Sequence, residues 1–380
     1  MKLPIDQLNQ WPTPYYLYDT ELLGHTLSAV TEAAAFPGFH VHYAVKANTN
    51  RAILKIIAES GLGADTVSGG EIRAALQAGF PADKIMFAGV GKTDEEIRLA
   101  LGSGVGCINV ESREELMVIE QIASDMGVVA PVAIRVNPEI DAHTHHYITT
   151  GLAENKFGVA MSMLDTVVDH IVASQWLTLR GLHFHIGSQI ETMRPFEILC
   201  ERILKLQKEL NARGVSMPLI NVGGGLGVDY DDPMGHPIPD FKAYFDTFHR
   251  HLPLQPGQQL HFELGRAIVA QCGALVSRVL YVKQGVEKKF VILDAGMTEL
   301  IRPALYQAHH SIVNITSQSP DRELYTIVGP ICESADCFAE DTALPLTRRG
   351  DLVALLSAGA YGEVMSSNYN ARPTVSTHLI

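Results

Sequence analysis

Short apolar runs alternate with amphipathic runs between residues 40 and 263, which predicts a parallel sheet wrapped by helices. Eight runs read as strands: His40–Val45, Leu62–Asp65, Lys84–Ala88, Gly106–Val110, Pro131–Val136, Leu179–Ile186, Leu219–Gly223 and Gln259–Glu263. Helical spacing predicts helices at Arg51–Ser60, Glu71–Ala78, Asp94–Leu101, Arg113–Met126 and Pro195–Arg213, with a further helix, Glu21–Ala35, before the first strand. This α/β alternation favours a closed (β/α)8 TIM barrel.

The pattern changes after residue 265, where strand-like runs are separated by turn-rich segments. The runs are Ile268–Val282, Lys289–Leu293, Leu324–Val328 and Asp351–Leu356. They predict a second, all-β domain, and we expect Tyr15–Asp19 to join it as an extra strand. The predicted domains are therefore a barrel at residues 21–264 and a C-terminal β-domain that takes in the N-terminal strand, made of residues 1–20 and 265–380.

Composition narrows the functional classes. A chain of 380 residues accommodates one barrel and one smaller domain. Its net charge of −13 argues against nucleic-acid or anionic-membrane partners, and it has no apolar run of the ~18 residues that a membrane helix needs. The five cysteines lack a disulfide-framework spacing and no apolar signal-peptide core follows Met1, so we expect a cytoplasmic location.

Lys46 lies at the predicted C-terminal end of the first strand, where a (β/α)8 barrel carries its active site. Its neighbours are apolar or small, so its amine would be partly desolvated and usable as a Schiff-base nucleophile. From this segment alone, a lysine that extends into solvent is an equal alternative.

Three consecutive glycines, Gly223, Gly224 and Gly225, follow the seventh predicted strand. Their backbone N–H groups can surround an anion, and Arg266 after the eighth strand supplies a guanidinium, so we predict a phosphate site there. A dinucleotide fingerprint is excluded because Val228 stands where the last glycine should be. A flexible barrel loop is the alternative.

Two histidines, His183 and His185, are spaced so that they share one face of the sixth predicted strand. Such a pair can bind a metal, with further ligands from the segment that holds Asp141, His143, His145 and His146. A metal-dependent barrel hydrolase is therefore a rival hypothesis. Against it, histidines in a polar segment are usually solvated, and no further spacing completes a ligand set.

Cys332 and Cys337 are predicted to lie in a turn between two strands of the β-domain. They are five residues apart, which is too far for a typical zinc clip, and no partner pair exists elsewhere. The default for a single cysteine is an inert buried thiol. Because Cys332 adjoins Glu333 in a Gly-Pro turn, a role as an acid or a ligand contact fits it better.

Ten segments in order resemble the fold-type III pyridoxal phosphate decarboxylases over nearly the whole chain. They are Tyr43–Asn48, Ala64–Glu71, Lys156–Gly158, His183–Ile190, Gly223–Gly225, Glu263–Arg266, Asp294–Met297, Arg302–Tyr306, Cys332–Ser334 and Ala360–Gly362. The resemblance implies a PLP-dependent carboxy-lyase whose cofactor is pyridoxal 5'-phosphate. An ordered set of this length is far more specific than any one motif.

The resemblance also implies residue roles. Lys46 would carry the cofactor and Glu263 would face its ring nitrogen, and Cys332 would return a proton to the substrate's α-carbon. Further cofactor contacts are expected from Asp65, His185, Ser188, Gly223, Gly224, Gly225, Arg266 and Tyr361. In the family the Cys-Glu loop crosses from a neighbouring subunit, which implies a homodimer with two shared active sites.

The end of the substrate that does not react determines which amino acid the enzyme accepts. Arg302 and Tyr306 can bind a distal carboxylate, and Glu333 can bind an ammonium. By resemblance, Tyr369 matches an aromatic residue that lines the pocket. Arg266 and Tyr361 are also predicted to contact the substrate. This set favours meso-2,6-diaminopimelate, with L-lysine as the product of the last step of lysine biosynthesis.

The sequence leaves other functional hypotheses open. They are a decarboxylase of carboxynorspermidine, ornithine or arginine, the metal-dependent hydrolase, and a non-catalytic binding relative. Two features depart from the family pattern: Leu264 replaces a common proline, and the chain stops eleven residues after Tyr369, so a final β-domain strand is expected to be short or absent.

Overall fold

The computed structural model describes residues 1–138 and 156–380. The chain divides into two compact units, a barrel unit (27–227 and 240–265) and a β-unit (1–26, 228–239 and 266–380). The candidate metal ligands Asp141, His143, His145 and His146 lie outside the described residues. The assignment of residues 21–264 to a cofactor-binding domain, and of the remainder to the β-domain, stays a prediction.

Eight parallel strands form a closed barrel, which confirms the predicted fold class. The first strand, Phe39–Ala44, closes it by pairing with both Gly63–Thr66 and Gln259–Leu264. In chain order the barrel strands are Phe39–Ala44, Gly63–Thr66, Ile85–Phe87, Cys107–Val110, Ala130–Arg135, Leu177–His183, Leu219–Asn221 and Gln259–Leu264. Most of their residues are buried, as expected for strands covered on both faces.

Amphipathic helices connect the barrel strands. A helix at Thr20–Ala33 precedes the first strand, and those that follow are Arg51–Glu59, Gly69–Ala78, Asp94–Ser103, Arg113–Met126, Leu164–Ala173, Arg194–Ala212 and Phe241–His251. Several begin at a side-chain cap, such as Ser68, whose hydroxyl accepts the Glu71 N–H, and Thr93, which forms a capping box with Glu96. Local sequence therefore fixes where these helices start.

The β-unit is built on an eight-stranded sheet. Its strands are Tyr15–Tyr18, Gly273–Gln284, Lys289–Leu293, Ile312–Asn314, Arg322–Val328, Cys337–Pro345, Leu352–Leu355 and Ser376–Leu379, with short helices at Ile5–Leu8, Arg266–Val269 and Arg302–Tyr306. The N-terminal strand pairs antiparallel with Gly273–Gln284 and parallel with Ser376–Leu379, which confirms that it joins the β-domain sheet.

One strand prediction in the β-unit needs correction, and the prediction for the final strand is confirmed as a short strand. The predicted strand Ile268–Val282 is wrong at its start, because Ile268 lies in the helix Arg266–Val269 and the strand begins at Gly273. A continuous apolar run does not by itself separate a buried helix from a strand. The final strand, Ser376–Leu379, is present and is four residues long.

Among residues 1–138 and 156–380, none of the helices has the length and apolar character needed to span a membrane.

Candidate active site

Lys46 and Asp65 face each other at the C-terminal end of the barrel strands. Lys46 lies in a 3₁₀ turn, Val45–Ala47, directly after the first strand, and its Nζ is 3.5 Å from Asp65 Oδ2. The Asp65 side chain is fully buried, whereas the Lys46 side chain is 40% exposed. Burial, together with repulsion from Glu263, raises the pKa of Asp65 well above its usual range, although Lys46 opposes the shift. The arrangement gives an accessible amine beside a carboxyl group that binds a proton easily.

Glu263, on the last barrel strand, is a buried carboxylate whose pKa is shifted in the direction opposite to that of Asp65. It accepts hydrogen bonds from Asn221 Nδ2 at 2.6 Å and from His183 Nε2 at 3.0 Å. Burial alone would raise the pKa of Glu263, but His183, Lys46 and Asn221 outweigh it and hold the pKa far below the usual value. Glu263 therefore stays ionised at neutral pH and can accept a hydrogen bond from a cationic ring N–H.

The three consecutive glycines form a loop that admits no side chain. A Cβ added at Gly223 would lie 2.4 Å from the Phe184 carbonyl oxygen, and one at Gly224 only 2.0 Å from that of Glu263. Gly223 and Gly225 also have positive φ angles of 67° and 113°. The sequence requires glycine here because the backbone approaches neighbouring strand ends closely.

His185 and Ser188 lie next to this loop. The Gly224 N–H donates to His185 Nδ1 at 3.3 Å, and a Cβ added at Gly225 would lie 2.9 Å from the carbonyl oxygen of Gly187, the residue before Ser188. Burial, with Lys46 and Arg135, lowers the pKa of His185 well below its usual value. A neutral imidazole and a hydroxyl thus accompany the glycine loop.

The β-unit holds a separate group of functional candidates around two buried arginines. Tyr230 Oη accepts from Arg266 Nη1 at 2.6 Å and from Arg302 Nη1 at 3.1 Å. The Arg266 guanidinium also lies 5.0 Å from the ring centroid of Tyr361. Within residues 1–138 and 156–380, no carboxylate lies within ion-pair distance of Arg302, which is 6% exposed.

Cys332, Glu333 and Tyr369 form an exposed cluster in the β-unit. Tyr369 Oη donates to Glu333 Oε1 at 2.7 Å, and the Cys332 N–H donates to Asn370 Oδ1 at 3.1 Å. Cys332 is exposed, so the default of a buried thiol does not apply to it. Buried Asp336 shapes the loop by accepting the Ile331 N–H at 2.7 Å.

The structure also shows residues that sequence reasoning missed. Tyr230, His310, Asn221 and Asp336 each contact a predicted residue or its loop. His183, considered above as a metal ligand, has Glu263 as its partner. Among the described residues, no group of three or more histidine, cysteine, aspartate or glutamate side chains is arranged to hold a metal ion. Tyr306 lies one helical turn after Arg302, in the helix Arg302–Tyr306.

Comparison with known proteins identifies relatives of the whole chain. Residues 27–270 match the family described as "Pyridoxal-dependent decarboxylase, pyridoxal binding domain". Diaminopimelate decarboxylase of Bacteroides thetaiotaomicron is 58% identical over 370 residues, which cover 97% of this chain and 96% of that protein. The crystal structure of diaminopimelate decarboxylase from Helicobacter pylori, complexed with L-lysine, is 39% identical with a TM-score of 0.93, covering 99% of this chain and 93% of that one.

Proposed function

Because this chain belongs to the pyridoxal-dependent decarboxylases, and within them to the diaminopimelate decarboxylases, we propose that it converts meso-2,6-diaminopimelate to L-lysine and carbon dioxide with pyridoxal 5'-phosphate as cofactor. The reaction is the last step of lysine biosynthesis. The observation that carries the choice of substrate is Arg302, a buried guanidinium with no carboxylate partner among the described residues. A buried cation of this kind calls for an anion from a ligand.

The residues present fit pyridoxal phosphate. Gly223 and Gly224 leave a backbone cradle that any Cβ would close, which suits a phosphate. Glu263 stays ionised and suits a protonated ring nitrogen. Lys46 offers an accessible amine for covalent attachment. When bound, the cofactor supplies an electron sink for the pair of electrons left by departing carbon dioxide.

Each barrel residue then has a proposed task. Lys46 Nζ would hold the cofactor, and Asp65 Oδ2, 3.5 Å from that atom, would exchange a proton with the amine. Glu263, held by Asn221 and His183, would keep the ring nitrogen protonated. His185 would contact the cofactor ring, while Ser188, Gly223, Gly224 and Gly225 would hold the phosphate. From the β-unit, the family resemblance adds Arg266 and Tyr361 to the phosphate and substrate contacts.

Arg302 and Tyr306 bind the carboxylate at the end of the substrate that does not react. Glu333 binds the distal ammonium, and Tyr369, which donates to Glu333 Oε1, keeps that carboxylate in place. Cys332 is the acid that returns a proton to the α-carbon. A simple diamine precursor such as ornithine would leave Arg302 without its anion.

We also propose a homodimer in which each subunit contributes Cys332 and Glu333 to the active site of its partner. The support is the exposure of Cys332, Glu333 and Tyr369, three polar or reactive side chains grouped at the surface of a single chain. Exposed functional groups of this kind gain a role when a second subunit supplies the rest of the site. A cytoplasmic location stays a prediction.

The experiment that tests the function supplies purified protein and pyridoxal phosphate with meso-diaminopimelate and measures lysine and carbon dioxide. Ornithine, arginine and carboxynorspermidine are offered in parallel. Equal amounts of lysine and carbon dioxide from meso-diaminopimelate, and little product from the others, support the proposal. Efficient turnover of one of the other substrates instead would assign the chain to a sibling activity.

A further inference from the structure

Two guanidinium groups in the β-unit share one phenol oxygen. Tyr230 Oη lies 2.6 Å from Arg266 Nη1 and 3.1 Å from Arg302 Nη1, and both groups donate to it. The two guanidinium carbons also lie 5.8 and 5.1 Å from the centroid of the Tyr230 ring. Tyr230 therefore contacts both cations through its oxygen and its ring, which fixes their separation.

His310 holds Arg302 from a second direction. Its Nδ1 is 2.8 Å from the Leu356 carbonyl oxygen, so this nitrogen carries the proton and donates it. Its Nε2 is consequently an acceptor and lies 2.8 Å from Arg302 Nη1. Burial, with a smaller effect of Arg302, lowers the pKa of His310 to about 3, which keeps the ring neutral and the acceptor available near neutral pH.

Both contacts occupy the same Arg302 nitrogen, Nη1. The rings of Tyr230 and His310 also pack edge to face, with centroids 5.2 Å apart, so the two acceptors support each other. Arg302 thus has a fixed guanidinium plane, a buried charge and no carboxylate partner among the described residues. A guanidinium prepared in this way suits one planar anion in one orientation.

We propose that Tyr230 and His310 are positioning residues for substrate specificity: they orient the Arg302 guanidinium for the substrate's distal carboxylate, and Tyr230 couples Arg302 to Arg266. This inference deepens the proposed function and rests on it. Neither residue needs to touch the substrate, since both act through Arg302.

A purely structural role is the competing explanation, and ligand choice separates the two. L-Lysine, the product, retains the distal carboxylate, whereas cadaverine has the same carbon chain and both amines without it. A positioning role affects lysine alone. Damage to the β-unit as a whole would weaken the binding of both ligands.

The test uses the holoenzyme and three variants: Tyr230→Phe, which keeps the ring; His310→Leu, which removes the acceptor; and His310→Gln, which restores one. Calorimetry gives the Kd of L-lysine and of cadaverine for each. We expect Tyr230→Phe and His310→Leu to weaken lysine binding roughly tenfold, the equivalent of one charge-assisted hydrogen bond, with cadaverine binding unchanged. His310→Gln should stay within about threefold of the unaltered holoenzyme because an acceptor remains.

Steady-state kinetics add an independent readout. The KM for meso-diaminopimelate should rise in Tyr230→Phe and His310→Leu while kcat changes little, because neither residue handles the reacting carbon. Tyr230→Phe should also weaken reconstitution with pyridoxal phosphate, through Arg266, and His310→Leu should not. If His310→Leu does not fold, Tyr230→Phe decides the question by itself.

Lysine affinity unchanged in the variants would overturn the inference, as would equal weakening of lysine and cadaverine. A failure of the proposed function would give a different result. The unaltered holoenzyme would then make no lysine from meso-diaminopimelate, and the inference, which rests on that function, would fail as well.

Discussion

Replacing Glu263 with Gln removes a buried negative charge and leaves the side-chain shape almost unchanged. The Gln amide oxygen can still accept from Asn221 Nδ2, which lies 2.6 Å from the Glu263 carboxylate in the unaltered protein. The amide N–H₂ would face His183, whose Nδ1 has no hydrogen-bond partner among the described residues, so this ring can change tautomer and accept. We therefore expect a loss of folding free energy of no more than about 1–2 kcal/mol.

Catalysis should suffer much more than stability. A neutral amide cannot hold a proton on the cofactor ring, so the transition state loses a preorganised charge, an effect typically worth about 3–4 kcal/mol, or roughly 10²–10³-fold in kcat. The assay measures carbon dioxide release at saturating substrate, with cofactor content and melting temperature recorded for the same sample. Glu299→Gln is a matched control, since Glu299 is also a buried acid and accepts the Gly296 N–H at 2.7 Å. A Glu263→Gln variant that binds cofactor and retains kcat within about threefold would refute the reasoning.

Four further outcomes are expected. Arg302→Ala should raise the KM for meso-diaminopimelate at least about a hundredfold, measured by steady-state kinetics, and unchanged KM would exclude a carboxylate contact. Gly224→Ala should abolish cofactor binding, followed by absorbance, because the added Cβ would lie 2.0 Å from the Glu263 carbonyl oxygen. Inactive Lys46→Ala and Cys332→Ala chains, mixed so that dimers exchange subunits, should regain roughly a quarter of the normal activity if sites are shared, and none if they are not. Burial lowers the pKa of His42 to about 4, so the unfolded chain binds a proton that the folded chain does not, and the free energy of unfolding should fall as pH drops from about 6.5 towards 4. The expected loss is about 2 kcal/mol at pH 5. His42→Asn should reduce this loss, as measured by thermal melts at each pH.

The barrel could be predicted because its eight strands and most of its helices carry a local signal, although the helices Leu164–Ala173 and Phe241–His251 were not among those predicted. The short apolar runs set the strands, and caps such as Ser68 and Thr93 set the helix starts. The glycine loop could also be identified from the sequence, since three consecutive glycines after a strand are rare without a close backbone approach. The Cβ distances at Gly223 and Gly224 supply the physical reason.

The remaining parts of the site depend on contacts between residues far apart in the chain. His183 lies 80 residues from Glu263, and Tyr230 lies 72 residues from Arg302, so no local period reveals either pair. His310 had no motif to mark it. The strand Cys337–Pro345 was missed because its exposed acidic residues weaken the apolar signal.

Product analysis of the purified holoenzyme with meso-diaminopimelate, with Lys46→Ala as the matched variant, tests the central claim most directly. Lysine and carbon dioxide should appear in equal amounts, and borohydride treatment should fix the cofactor on a peptide that contains Lys46. The Lys46→Ala variant should form neither the reduced adduct nor lysine. Lysine formation by that variant at the unaltered rate, or no lysine from the cofactor-loaded enzyme, would contradict the account.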